Sequence, residues 1–143
     1  MKELLKQKLN KLFQEQRFAV IATQGKNEPY TNLVSFLVNE NLEKIYFPTS
    51  KKTQKFKNLS ENSRISILID NRGNKPTDIK NAMAVTATGL TREKQDEKII
   101  KLFLKKHPYL EDFINSSDCA MIEISIEKYF IVDNFQNVRT VNL

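Results

Sequence analysis

Apolar residues recur every three or four positions at the start of the chain, and short apolar runs separated by turn residues follow. The first spacing is that of one face of a helix, with lysines and amides between the apolar positions. We therefore predict an amphipathic helix over about the first sixteen residues, lying against an apolar surface. Its apolar face consists of Leu5, Leu9, Leu12 and Phe13.

The later apolar runs are short, rich in β-branched residues and bounded by turn residues, which is the pattern of strands joined by turns. Residues 64–70 show it most clearly, because Ile65, Ile67 and Ile69 form one fully apolar face. Pro48 is expected to end the third strand. The predicted strands cover residues 17–23, 29–38, 44–47, 64–70 and 82–90, one strand or a bent pair over 119–126 and 129–132, and an edge strand over 138–141.

Helices are predicted at two places between these strands. A short helix carrying Phe56 and Leu59 follows the third strand. A second helix, which Thr91 can cap, ends before Pro108, and a further short helix covers residues 109–114. The apolar face of the second helix is expected to include Ile99, Leu102 and Phe103.

Six or seven short strands at near-hairpin spacing predict the fold class. Strands joined mainly by tight turns favour an antiparallel barrel over an alternating parallel sheet. The chain of 143 residues has the length of one domain and contains no repeat or low-complexity run. We therefore predict a single, mainly β domain over residues 1–143, with one helix at the start and others inserted later.

The supply of reactive side chains excludes several classes of site. Cys119 is the only cysteine, so an internal disulfide and a Cys-rich metal site are excluded, and a cytoplasmic location is expected. His107 is the only histidine, which disfavours Cys/His zinc sites and His-based catalytic triads. We expect His107 at the surface and Cys119 as a small buried thiol. No apolar run has the length of a signal peptide or membrane span.

The charge balance favours anionic ligands. The net charge is +6 and the pI is about 9.4, which fits nucleic acid, acidic lipid or a phosphorylated small molecule. Lysines 98, 101, 105 and 106 form a basic stripe that we interpret as a solvated helix face. Few aromatic residues interleave with them and no nucleic-acid recognition motif is present, so no specific nucleic acid is expected.

The segment 48–59, PTSKKTQKFKNL, has the chemistry of a phosphate site. A strand ends in hydroxyl residues and leads through lysines into a helix whose first N–H groups and dipole attract anions. The chain has no Gly-rich phosphate loop, so side chains and a helix end must hold the anion. An isolated cluster of this kind is usually a solvated basic loop, in which Thr53 merely caps the helix, so the segment taken alone is a weak signal. The hydroxyl and cationic groups are Thr49, Ser50, Lys51, Lys52, Thr53 and Lys55.

Four stretches in this order make the chain resemble the pyridoxamine 5′-phosphate oxidase-like family of FMN-binding split barrels, especially its small single-domain members. No one stretch is specific, whereas their order and spacing are. The stretches are AVIATQGKNEP at 19–29, the strand-to-helix segment 46–59, Asn71 with Arg72, and AVTATG at 84–89. The resemblance implies a split β-barrel, bound FMN and a homodimer with the flavin in the groove between protomers.

The resemblance also assigns residues to the flavin. Leu33, Val34 and Ser35 would line the isoalloxazine ring, with Pro48, Thr49 and Ser50 on its adjacent edge. Thr53, Gln54 and Lys55 would hold the phosphate. Family members often have Arg where this chain has Gln54, so Lys51 or Lys52 is expected to compensate. Arg72, after Asn71, is the candidate second cation on the phosphate.

The leading hypothesis from the sequence is an FMN-dependent oxidoreductase of undetermined substrate. The chain ends without the segment with which the true oxidase holds its pyridoxal substrate, so we do not expect vitamin B6 oxidation. A non-catalytic flavin carrier or sensor is the first alternative. A related split barrel that binds deazaflavin or haem is the second, and a general anion-binding module for nucleic acid is the third.

Overall fold

The computed structural model describes all residues, 1–143, and contains eight strands and five α-helices. None of its helices has the length and apolar character of a membrane span. In chain order the elements are α1 (Glu3–Glu15), β1 (Phe18–Gly25), β2 (Glu28–Ser35), β3 (Leu37–Val38), β4 (Lys44–Ser50), α2 (Gln54–Glu61), β5 (Arg64–Asp70), α3 (Asp78–Asn81), β6 (Ala84–Glu93), α4 (Glu97–Lys106), a 3-10 turn (Pro108–Leu110), α5 (Glu111–Ile114), β7 (Cys119–Asp133) and β8 (Asn137–Asn142).

The strands form one antiparallel sheet that curls into a split barrel, as the sequence predicts. The strand order is β2-β1-β5-β6-β7-β4-β3, with β8 paired to β7. β2 and β3 lie at opposite ends of this order although only Phe36 separates them along the chain, so the backbone at Phe36 joins the two edges of the sheet. Beyond that point β2 pairs only with β1, and a split remains between β2 and β4.

The core fills the inside of the barrel because alternate residues of each strand point inward. In β5 the inward residues are Ile65, Ile67 and Ile69, all buried as the alternation predicts. The predicted first helix is α1, whose Leu9, Leu12 and Phe13 belong to the same buried cluster.

The prediction that Pro48 ends the third strand is wrong. β4 continues through Pro48 to Ser50, and Pro48 pairs with Met121 of β7. β3 covers only Ile45 and Tyr46 on the other side of β4, so that edge is open beyond them. A residue without an N–H group is tolerated at such an open edge. The predicted strand 29–38 is likewise divided into β2 and β3.

Thr91 does not cap the following helix. It belongs to β6, where its N–H and its hydroxyl both donate to the Ser63 carbonyl oxygen. α4 begins at Glu97, and its cap is Asp96, whose carboxylate accepts from the first N–H groups of the helix. Leu102 also departs from its predicted place on the apolar face, because its side chain is 54% exposed.

β7 is one long strand with a bulge, rather than a bent pair. Its pairing with β6 shifts register beside Gly89, which leaves Glu127 as the extra residue. A Cβ atom at position 89 would overlap the Ser125 carbonyl oxygen. Glycine is therefore required where the two backbones approach most closely at this bulge.

His107 is buried, which corrects the expectation of a surface residue. Its side chain is 7% exposed, and its Nε2 lies 2.8 Å from the Phe36 carbonyl oxygen. The ring packs against Phe103, with centroids 4.7 Å apart. α4 lies against the outside of the barrel near β3, so the end of this helix reaches the backbone at Phe36. Cys119 is buried, as predicted.

Burial of His107 predicts a loss of stability in mild acid. Burial lowers the pKa of its imidazole, although the hydrogen bond to Phe36 opposes that shift. Because the unfolded pKa is about 6.5, the folded state binds fewer protons, and the free energy of unfolding should fall as the pH drops below that value. Glutamine at 107 can donate to the same carbonyl without titrating. We expect His107→Gln to show a shallower decline in urea midpoint on acidification; parallel declines for both proteins would contradict this.

Candidate functional site

Hydroxyl groups order the turn between β4 and α2. Thr49 is buried, and its Oγ1 lies 3.0 Å from Thr53 Oγ1. Thr53 Oγ1 donates to the Ser50 carbonyl oxygen over 2.8 Å and accepts from the Phe56 N–H, so Thr53 is the predicted N-cap of α2. These bonds hold the β4–α2 turn, residues 49–55, in a fixed shape.

The start of α2 retains a free donor. The Thr53 N–H bonds to the Ser50 carbonyl, and the Lys52 N–H bonds to the Ser50 hydroxyl. The Lys55 N–H has no hydrogen-bond partner within the chain. Because this N–H lies at the positive end of the helix dipole, it can bind an anion.

The lysines of the turn differ in their partners. Lys51 Nζ lies 3.6 Å from Glu93, and Lys52 Nζ lies 3.1 Å from Asp118. Lys55 has no carboxylate partner, and burial lowers the pKa of its ammonium group. Burial disfavours the charged amine, so an anion beside it would restore stability to that charge. Of the lysines assigned to the phosphate, Lys55 is thus the one left unpaired.

Asn58 joins α2 to the barrel, and it is not among the residues predicted from the sequence. Its amide is buried, donates to Thr23 Oγ1 over 3.0 Å and accepts from Gln54 Nε2 over 2.8 Å. Gln54 and Asn58 line a groove of about 350 Å³ between α2 and the β1–β2 hairpin, which includes Tyr30. The signal that could have revealed Asn58 is an amide beside Leu59 on the apolar side of a short helix.

Three consecutive residues of β2 are assigned to the flavin ring by the resemblance, but their side chains do not all lie on the same face of the strand. Leu33 is 63% exposed on the outside of β2, Val34 is buried in the core and Ser35 is half-buried. This alternation follows from strand geometry, so Val34 can meet a ligand at the split only through its backbone. The backbone edge of β2 that faces β4 is unpaired and offers such contacts.

An unsatisfied polar atom lies on the same strand. Asn32 Oδ1 is buried and has no hydrogen-bond partner. Asn32 and Val34 share the inward face of β2, beside the split from β4. A buried acceptor without a donor is costly, by about 1–3 kcal/mol, and a bound ligand can supply that donor. Across the split, Pro48 and Thr49 are buried and Ser50 is half-buried.

The structure does not bring Arg72 to the β4–α2 turn within one protomer. α2 contacts Thr23, beyond the point where Ala22 pairs with Ser66 near the start of β5. Arg72 follows the opposite end of β5, where it is 65% exposed and its Nε pairs with Asp70 at 3.1 Å.

Asn71 has a structural role at the same end of β5. Its Oδ1 accepts from the Met83 N–H over 2.7 Å, and its own N–H donates to the Met83 carbonyl. These two bonds extend the pairing of β5 and β6 past their last paired residues.

One broad surface outside the barrel is largely apolar. A row without charged residues crosses six strands in register, and its side chains are exposed or half-buried. Phe18, Val132 and Val138 are exposed in the next row. We call the six-residue row and these three residues the outer sheet face. The row consists of Leu33, Val20, Leu68, Thr86, Phe130 and Thr140.

Solved structures share this fold at low sequence identity. A haem-binding protein from Mycobacterium smegmatis matches with TM-score 0.83 and 14% identity over 99% of this chain, which spans 59% of that protein. HutZ, a haem storage protein from Vibrio cholerae, matches with TM-score 0.73 and 15% identity. The match covers 86% of this chain and 90% of HutZ. A Listeria innocua protein named for pyridoxamine 5′-phosphate oxidase matches with TM-score 0.72 and 18% identity. The match covers 90% of this chain and 98% of the Listeria protein.

The sequence itself identifies the family. A search of curated proteins finds no match to this chain. A sequence profile described as pyridoxamine 5′-phosphate oxidase matches residues 5–133, which include every strand from β1 to β7 and the whole β4–α2 turn. On this match, and with the split barrel and turn described above, the chain belongs to the pyridoxamine 5′-phosphate oxidase family.

Proposed function

We propose that the chain is a cytoplasmic FMN-dependent oxidoreductase of undetermined substrate, with the flavin bound where two protomers meet. The observation that carries this proposal is the β4–α2 turn, which combines hydroxyl groups, a free N–H and an unpaired lysine. Family membership supports it, because flavin is a common ligand of this family. FMN would supply the electron transfer, and the residues of the chain would bind and orient it.

The phosphate of FMN fits the turn chemically. A dianion needs several donors. The first turn of α2 offers the free Lys55 N–H, and the Lys55 side chain offers an ammonium group without a carboxylate partner. Lys51 and Lys52 are exposed, and ion pairs between exposed groups contribute little. Either lysine can therefore exchange its carboxylate partner for a phosphate, which would compensate for the absence of Arg at Gln54.

The ring would lie along the split between β2 and β4. The unpaired backbone edge of β2 from Leu33 to Ser35 offers donors and acceptors, and Pro48 to Ser50 stand on the other side. A flavin ring carries an N–H group that can satisfy Asn32 Oδ1 after a side-chain rotation. Asn32 is thus an additional candidate beside the residues assigned by resemblance.

The outer sheet face supports the homodimer. Exposed, largely apolar surfaces mark interaction sites in soluble proteins. A two-fold dimer would pack this face against its own copy, since isologous interfaces use the same patch twice. Leu33 belongs to both this face and the proposed ring site, so the flavin would sit at the margin of the interface. In such a dimer Arg72 could serve only the partner's phosphate.

Haem is the second candidate, because two proteins of the same fold are named for haem binding or storage. His107 offers no ready axial ligand here, since it is 7% exposed and bonded to the Phe36 carbonyl. The β4–α2 turn suits a phosphate tail, which haem lacks. These two points favour FMN over haem.

An absorbance spectrum of the purified protein, with mass analysis of the released ligand, tests the proposal. We expect flavin absorbance and release of FMN. A Soret band would indicate haem, and a colourless protein that binds no added FMN would overturn the proposal. Steady NAD(P)H-dependent reduction of an acceptor by the holoprotein would support an oxidoreductase over a passive flavin carrier.

A further inference from the structure

A second cavity lies apart from the β4–α2 turn, where the end of α1 approaches β3 and α4. Its volume is about 700 Å³, within the range of small-molecule sites. Leu37 and Val38 of β3 and Ile99 and Leu102 of α4 supply apolar walls. Leu102 is more than half exposed at this cavity, although the next residue of the helix is fully buried. We call this space the α1–α4 cavity.

Lys106 places a cation in the wall of the α1–α4 cavity without a counter-ion. Its Nζ donates to the Phe13 carbonyl oxygen over 2.8 Å and lies 4.0 Å from the centroid of the Phe36 ring. No carboxylate lies within ion-pairing distance of it. Burial, with a smaller contribution from Arg17, lowers the pKa of this ammonium group to about 8.

We propose that the α1–α4 cavity binds an aliphatic monocarboxylate, with its chain against Leu37, Ile99 and Leu102 and its carboxylate on Lys106. The apolar walls would bury the chain, and the carboxylate would supply the counter-ion that Lys106 lacks. This site does not depend on the proposed flavin, because none of its residues belongs to the β4–α2 turn.

The charges around the cavity favour a single negative charge over a phosphate dianion. Glu40 also lines the cavity and would repel a second charge. Lys106 is the only half-buried cation of the cavity wall, since Lys105 is exposed. One of the three N–H donors of Lys106 is already bonded to the Phe13 carbonyl oxygen. Phosphate sites usually provide more donors than this.

The affinity should depend on pH through Lys106. Besides Glu40 and Lys105, the charged or titratable groups beside it are Arg17 and His107. Burial lowers the pKa of His107, so its imidazole is neutral where Lys106 titrates. A carboxylate ligand needs Lys106 in its charged form. Binding should therefore weaken as the pH rises through about 8, the pKa of Lys106 in the unliganded protein.

Calorimetric titration with decanoate and with uncharged decanol tests the proposal. At about pH 7 we expect decanoate to bind at least about tenfold more tightly than decanol, the minimum expected for one charge-assisted hydrogen bond. Lys106→Met should remove that preference. Lys101→Met, on an exposed position of the same helix, is the matched control and should keep it.

Leu102→Asp gives a second variant in case Lys106→Met fails to fold. Because Leu102 is exposed, this change leaves the core intact and should weaken decanoate binding by at least about tenfold through repulsion and lost apolar contact. Absence of decanoate binding to the wild type, equal binding of decanol, or equal affinity in Leu102→Asp and wild type would overturn the proposal. None of these results would bear on FMN binding.

Discussion

Leu68→Lys is expected to convert the proposed dimer into monomers. Leu68 stands near the middle of the outer sheet face, between Val20 and Thr86, and it points away from the core that contains Ile67 and Ile69. Burying an unpaired ammonium group costs several kcal/mol, and a two-fold axis buries two of them. We expect the dimer dissociation constant to rise by at least about a hundredfold, or roughly 3 kcal/mol, measured by analytical ultracentrifugation.

Leu4→Lys is the matched control. Leu4 is 67% exposed on α1, away from the outer sheet face, so a lysine there should leave the dimer intact. FMN affinity should fall together with dimerisation in Leu68→Lys, because the proposed ring site lies at the margin of the proposed interface. A Leu68→Lys protein that remains dimeric, or a wild-type monomer that binds FMN, would show that the outer sheet face is not the interface.

Lys55→Met is expected to weaken FMN binding by about 10- to 100-fold. The substitution keeps the apolar stem of the side chain and removes its charge, so the fold should persist. A hydrogen bond to a charged group contributes roughly 1.5–3 kcal/mol, which corresponds to that range. Fluorescence titration of the apoprotein with FMN measures the change, and thermal unfolding checks that stability is retained.

Two controls separate Lys55 from a general effect of charge. Lys8 is exposed on α1, and Lys8→Met should change FMN affinity by less than about threefold, as expected for a screened surface charge. Arg72→Met tests whether Arg72 contacts the phosphate bound by the partner subunit, since Arg72 lies far from the β4–α2 turn of its own protomer. Equal losses in Lys55→Met and Lys8→Met would mean that the phosphate does not bind where we place it.

The features of the fold that local patterns determine were predictable. The alternation of Ile65, Ile67 and Ile69 identified a strand with one buried face, and the hydroxyl of Thr53 identified a helix cap. The predictions that Pro48 ends a strand and that His107 lies at the surface are wrong, because the environments of both residues depend on distant segments. β3 is too short to pair with β4 at Pro48, so a residue without an N–H group is tolerated there. The packing of α4 on the barrel buries His107.

The chemistry of the candidate site was only partly predictable. The sequence places Lys51, Lys52 and Lys55 together, but it cannot show that Glu93 and Asp118 come from other elements to pair with the first two. Nor can it show that β5 separates Arg72 from the turn, because that depends on sheet pairing. Nor can the sequence show that Asn32 Oδ1 is buried without a hydrogen-bond partner.

The most direct test of the phosphate site is a parallel titration of the wild-type apoprotein with FMN and with riboflavin, which lacks the phosphate. Two charge-assisted hydrogen bonds at the β4–α2 turn predict that FMN binds at least about a hundredfold more tightly than riboflavin. In Lys55→Met the difference should shrink while riboflavin affinity stays the same. Equal affinities of the wild type for the two flavins would contradict the proposed site.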